Sequence, residues 1–219
     1  MVLSTYVEQV SIQAGRGSMD GVLWLPENAV GVVLLADGRS GYRIKPPIDY
    51  VGSVLRNARL GTFWLDLLAE TGSDSPQAGS EIDVLTHRLE AACGWLQAND
   101  NTRDMPVGLF GAGYGAPAVL QLAAMLGHKV FAVVLRGGRP DQPVRASLGR
   151  VHAPTLLIAG SLDDRMVGIN RALYAGLRCK KQLEIIPGAT HSFEEPGCLE
   201  VVARLARGWF LQNVRVRHV

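Results

Sequence analysis

A chain of 219 residues, 47% hydrophobic and 19% charged, has enough apolar material to bury both faces of a sheet, which excludes the disordered class. Its formal charge of +2, with acids and bases interleaved, excludes the footprint of a nucleic-acid binder, and the basic ending Arg215-Val216-Arg217-His218 reads as a solvated tail. Cys93, Cys179 and Cys198 lie in unrelated segments without disulfide or zinc spacing, no apolar run is long enough for a bilayer, and Met1 to Val10 lacks a signal pattern.

These bounds lead to the expectation of one domain over residues 1–219, cytoplasmic, without membrane association and open to homo-oligomerisation. At the N-terminus, Tyr6 to Ile12 alternates apolar and polar residues, and Val22 to Leu25 follows the glycine-rich turn Gly15-Arg16-Gly17. The pair predicts two antiparallel edge strands. Val32 to Leu35 is then an apolar strand, Tyr50 to Ala58 a helix, and Thr62 to Leu65 a second buried strand. The polar, glycine-containing stretch Asp66 to Ser80 predicts a surface loop near the site.

Helical periodicity returns over Glu81 to Gln97, followed by the strand Val107 to Phe110, the helix Ala116 to Leu126 and the strand Val130 to Leu135. Thr155 to Ile158, a helix over Asn170 to Leu177, Leu183 to Ile186 and a helix over Leu199 to Leu211 complete the chain. Pro196 is expected in the first turn of that helix, where a missing N–H costs nothing. Trp64, Trp95 and Trp209 fall on core positions. The alternation predicts an α/β fold with a doubly wound, mostly parallel sheet behind an N-terminal antiparallel hairpin.

Ligands of such sheets sit beyond the carboxyl ends of the strands. Four strand ends carry polar or glycine-rich residues there: Asp37-Gly38-Arg39, Gly111-Ala112-Gly113-Tyr114-Gly115, Ser161-Leu162-Asp163-Asp164 and Ala189-Thr190-His191-Ser192. Together with Arg136-Gly137-Gly138-Arg139-Pro140-Asp141, Ala153-Pro154-Thr155-Leu156-Leu157-Ile158 and the run from Gly188 to Gly197, they resemble the dienelactone-hydrolase-like branch of the α/β-hydrolases. Relatives usually carry Ser or Cys at the position of Gly113, and commonly begin the loop after the third strand with His-Gly where this chain has Asp37-Gly38.

The resemblance implies a triad of which two members stand in the expected chain order. His191 would be the general base, oriented by Asp163, with the backbone N–H groups of Tyr114 and Arg39 as oxyanion donors. Gly113 has no side chain with which to form an acyl-enzyme, so at most slow, water-mediated hydrolysis of an ester or lactone is expected. The alternative is a pocket that only binds a small molecule, with Asp37 meeting a cationic or hydroxyl-bearing ligand and Arg136 pairing with or screening Asp37. Gly113 would then simply relax a strained turn. Ser192, Ser161 and Ser40 sit on no elbow and are poor replacements for a nucleophile. Gly111 to Ala116 also fits G-x-G-x-x-A, a dinucleotide pattern with Arg136 near a 2′-phosphate, but it comes late in the chain and has no acid for the ribose. No cofactor or metal is expected.

Overall fold

The computed structural model describes residues 5–14, 17–37, 46–67, 78–138 and 147–214. The hairpin β1 (Thr5–Ala14) and β2 (Gly17–Pro26) pairs without interruption from Thr5 opposite Pro26 to Ala14 opposite Gly17. Six strands follow: β3 (Val32–Asp37), β4 (Gly61–Leu65), β5 (Val107–Ala112), β6 (Val130–Arg136), β7 (Thr155–Gly160) and β8 (Lys181–Ile186). They form one eight-stranded sheet in the order β1-β2-β4-β3-β5-β6-β7-β8, parallel from β4 through β8. This order differs from the 3-2-1-4-5-6 arrangement of dinucleotide-binding sheets.

Only one of the two expected edge strands is an edge. β2 pairs antiparallel with β4 over Gly21 to Trp24, so β1 closes that side of the sheet and β8 the other. Val22 to Leu25, directly after the glycine-rich turn, reads as the outer partner of a hairpin, whereas a second neighbouring strand and the helices beside the sheet bury Met19, Leu23 and Leu25.

Five helices connect the strands: α1 (Pro46–Arg56), α2 (Ala78–Ala98), α3 (Gly115–Leu126), α4 (Asp164–Gly176) and α5 (Cys198–Asn213). Apolar residues of opposite parity on each strand build two core layers. Val32, Leu34, Phe63, Leu109 and Leu135 pack with α2, α3 and α4, while Val33, Leu35, Phe110, Val134 and Ile158 pack with α1 and α5.

The helix boundaries differ from the sequence expectation where polar residues hide them. α4 starts at Asp164 rather than near Asn170, because the Asp163 side chain accepts a hydrogen bond from the Met166 amide at 3.1 Å and caps the first turn. Pro196 is not helical. The Cys198 amide donates to the Glu195 carbonyl at 3.0 Å and Gly197 has φ 81 and ψ −15, a type II turn with Pro and Gly at its two central positions. Of the expected loop from Asp66 to Ser80, residues 68–77 lie outside the described residues; α2 has begun by Ala78.

Trp64 and Trp209 are buried as expected, and Trp95 packs at 5.1 Å, ring centroid to ring centroid, on the fully buried Phe63. Phe63→Ala removes a ring from the middle of this layer. It is expected to lower unfolding free energy in urea by about 3–5 kcal/mol.

Candidate active site

β5 is apolar and buried until it reaches Gly113, then reverses sharply into α3. Gly113 has φ 52, a left-handed conformation that costs an L side chain about 1–2 kcal/mol and glycine almost nothing. A Cβ built there meets no described atom within 4 Å. The turn is tied on both sides: the Gly113 amide donates to the Arg136 carbonyl at 3.2 Å, and its own carbonyl accepts from Ala116 at 3.3 Å. Tyr114, next in the turn, directs its ring outwards and is 66% exposed.

Two strands away, Asp163 follows β7 and uses both carboxylate oxygens. One caps α4 through the Met166 amide, and the other lies 3.2 Å from Nδ1 of His191. The imidazole is 42% exposed and the carboxylate 23%, so the pair is partly open to solvent. A carboxylate on Nδ1 favours the tautomer whose Nε2 is free to accept a proton, which is the arrangement a general base needs.

The loop that carries His191 is held by its neighbours. The Gly188 amide donates to Ser161 Oγ at 2.9 Å, and the Leu162 amide donates to the Ala189 carbonyl at 2.9 Å. Phe193 adopts φ 58, unusual for a side chain of its size, and buries its ring beneath the Arg136 guanidinium, whose central carbon is 5.6 Å from the ring centroid. The Thr190 hydroxyl, followed by the backbone amides of Glu195 and Thr190, holds the Glu195 carboxyl below the ordinary carboxylate range.

Between the elbow and the histidine runs Arg136-Gly137-Gly138. Gly137 has φ 59, and a Cβ on it would lie 3.4 Å from Cε1 and 3.5 Å from Nδ1 of His191. A Cβ on Gly138 would overlap the Ala116 Cβ. Arg136 is a pocket residue in the sequence reading, which gives no role to Gly137, Gly138 or Phe193. Paired glycines directly after an apolar strand were the available signal, but the contact they serve is more than fifty residues away.

Asp37 ends β3 opposite Ala112 of β5, which is itself opposite Arg136 of β6, so the acid and the base flank the elbow strand in one row on the α1 and α5 side of the sheet. Gly38, Arg39 and Ser40 lie outside the described residues. Ser161 is occupied as the acceptor from Gly188. Burial, helped by Glu90, pushes the Cys93 thiol up to about 12, so it supplies no thiolate near neutral pH. Among the described residues no three His, Cys, Asp or Glu side chains converge as a metal would require, and no helix is long and apolar enough to cross a membrane.

An eight-stranded sheet in this order, with a left-handed turn after β5 and an acid and a histidine after β7 and β8, is the α/β-hydrolase fold. No family model matches the sequence. A solved dienelactone hydrolase from Anabaena variabilis is 38% identical, superposes with a TM-score of 0.86, and is matched over 96% of this chain and 99% of that one. The chain belongs to the dienelactone hydrolase family. Est1E from Butyrivibrio proteoclasticus shares the fold at 15% identity, with a TM-score of 0.79 over 94% of this chain and 98% of that one. Two Mycobacterium tuberculosis proteins, of strains CDC 1551 and H37Rv, carry the name "Putative phosphoribosyl transferase"; each is 42% identical over 207 residues, 94% of this chain. The chain spans 46% of their length.

The double use of Asp163 separates fold from site. Asp163→Ala is expected to lose about 1 kcal/mol of stability with the helix cap, whereas Asp163→Asn keeps the cap. Both should release the His191 ring. Thermal melting reads the first effect, and the loss of a downfield Nδ1 proton resonance reads the second.

Proposed function

We propose that this chain is a dienelactone-hydrolase-like protein with a degenerate triad, in which Gly113 stands at the nucleophile position and Asp163 and His191 remain. Such a site supports at most slow hydrolysis of a small ester or lactone by a water that His191 activates. The observation that carries this reading is the Asp163–His191 contact at 3.2 Å, in a chain whose left-handed elbow residue bears no side chain. Loss of one triad member leaves room for roughly 10³- to 10⁴-fold acceleration over water from binding and oxyanion donors alone. The Tyr114 amide, at the start of α3, is the donor assigned here, with Arg39 as its expected companion.

A ligand-binding pseudohydrolase is the second reading, and Asp37 favours it. A carboxylate about 6 Å from a developing oxyanion, at an effective dielectric near 20, would raise the barrier by roughly 3 kcal/mol, about a hundredfold in rate. Against a cationic or hydroxyl-bearing ligand the same charge is attractive. The phosphoribosyl transferase name of the mycobacterial relatives is not carried to this chain. They are about twice its length, and the portion they share has a hydrolase fold. NADP binding at Gly111 to Ala116 is disfavoured by the position of that turn after the fifth strand.

Three measurements test the proposal. Fluorophosphonate probes, which need an activated hydroxyl, should leave the protein unmodified by mass spectrometry; a stoichiometric adduct would overturn the vacant-elbow assignment. Gly113→Ser has open space for its side chain and should create or raise esterase activity on short acyl esters, at a cost of about 1–2 kcal/mol from the left-handed backbone. Finally, ester and lactone turnover by the parent should show no burst, and His191→Ala should remove most of it. Equal rates for parent and variant from about pH 5 to 8.5 would leave only the binding reading.

A further inference from the structure

One contact does not fix an imidazole. The 3.2 Å approach of Asp163 to Nδ1 of His191 leaves the ring free to swing about that point, and nearly half of the side chain faces solvent. The space beside the ring is bounded by backbone. Gly137 is buried, and the position its Cβ would take lies 3.4 Å from Cε1, 3.5 Å from Nδ1 and 3.6 Å from the carbonyl oxygen of His191. The room between this residue and the ring is therefore that of one methyl group.

Gly137 is itself immobilised with respect to the elbow. Its amide donates to the Ile158 carbonyl at 3.0 Å, the preceding carbonyl of Arg136 holds the Gly113 amide at 3.2 Å, and Gly138 is packed on Ala116 so closely that a Cβ there would overlap it. A single three-residue segment thus touches the elbow and the first turn of α3 and runs beside the imidazole.

We propose that Gly137 is a positioning residue: because it carries no side chain, it leaves the His191 ring the space that the ring occupies against Asp163. This rests on the dyad reading above. That space has room for one carbon, since a Cβ just reaches ordinary contact, and a longer side chain directed at the ring would displace it. Glycine also removes the penalty of φ 59, which Asn tolerates better than most side chains.

The test is a graded series read on the histidine itself, so that it does not depend on the protein's having any turnover. In the parent at mildly alkaline pH, long-range ¹H–¹⁵N spectra should show His191 in the Nδ1–H tautomer. Gly137→Ala should keep it, and Gly137→Asn should give a mixture of tautomers. Gly197→Asn is the control, since Gly197 is left-handed with φ 81 and ψ −15 and a Cβ on it meets no described atom within 4 Å. That variant should fold and leave His191 unchanged. Any ester turnover should fall at least tenfold in Gly137→Asn and remain at the parental level in Gly197→Asn. An unchanged Nδ1–H tautomer in folded Gly137→Asn would overturn the proposal. If that variant does not fold, the parent decides: a nuclear Overhauser contact between Gly137 Hα and His191 Hε1 is required, and its absence would overturn the assignment equally.

Discussion

The site depends on the hydrogen bond from the Gly113 amide to the Arg136 carbonyl. It continues the β5–β6 ladder one step past the last paired residues, Ala112 and Arg136, and so binds the elbow to the end of the neighbouring strand. Parallel strands fix their neighbours at one level: Asp37, Ala112, Arg136 and Ile158 lie in a single row across β3, β5, β6 and β7. Every described residue of the candidate site sits at this row or in the loop just beyond it. Strand register thus sets the level of the site, and the loop contacts around Ser161, Gly188 and Phe193 hold the imidazole there.

The same register accounts for the shape of the turn at Gly113. Gly115 approaches β3 so closely that a Cβ would lie 2.5 Å from the Ala36 carbonyl oxygen, so the start of α3 packs against β3 only because residue 115 has no side chain. In a serine or cysteine elbow the left-handed backbone stores about 1–3 kcal/mol of strain that the rest of the fold must offset. Here glycine removes the strain and the turn remains. Stability alone is thus sufficient to account for Gly113.

Much of this was legible in the sequence because buried parallel strands are short apolar runs, and each of the six expected after the hairpin is present with its ends shifted by only a few residues. Asp163 and His191 were legible for a different reason: polar residues directly after such runs stand at the end of the sheet where ligands bind. What could not be read were contacts between distant segments. β2 becomes an inner strand only when β4 pairs with it, and Phe193 meets Arg136 only after the chain has crossed two further strands. The start of α4 was present as an Asp followed three residues later by an apolar position, but Gly168 and the charged residues around it obscured the helical period. Pro196 followed by Gly197 was a turn signal, and its proximity to a helix made it resemble a first-turn proline.

Asp163 and His191 call for different explanations. Asp163 caps α4, and a chain with no catalytic requirement would still benefit from an acid at that position. His191 has no comparable structural role among the described contacts: it is exposed, it caps nothing, and the loop beneath it is anchored by Gly188, Ala189 and Phe193. Holding Phe193 at φ 58 costs free energy, and the shape it maintains places the imidazole over Gly137 and against the second oxygen of Asp163. A strained loop that presents an exposed base to a pre-oriented carboxylate is not explained by folding alone. The position of His191, more than the presence of Asp163, is the physical reason to look for chemistry or ligand recognition above Gly113.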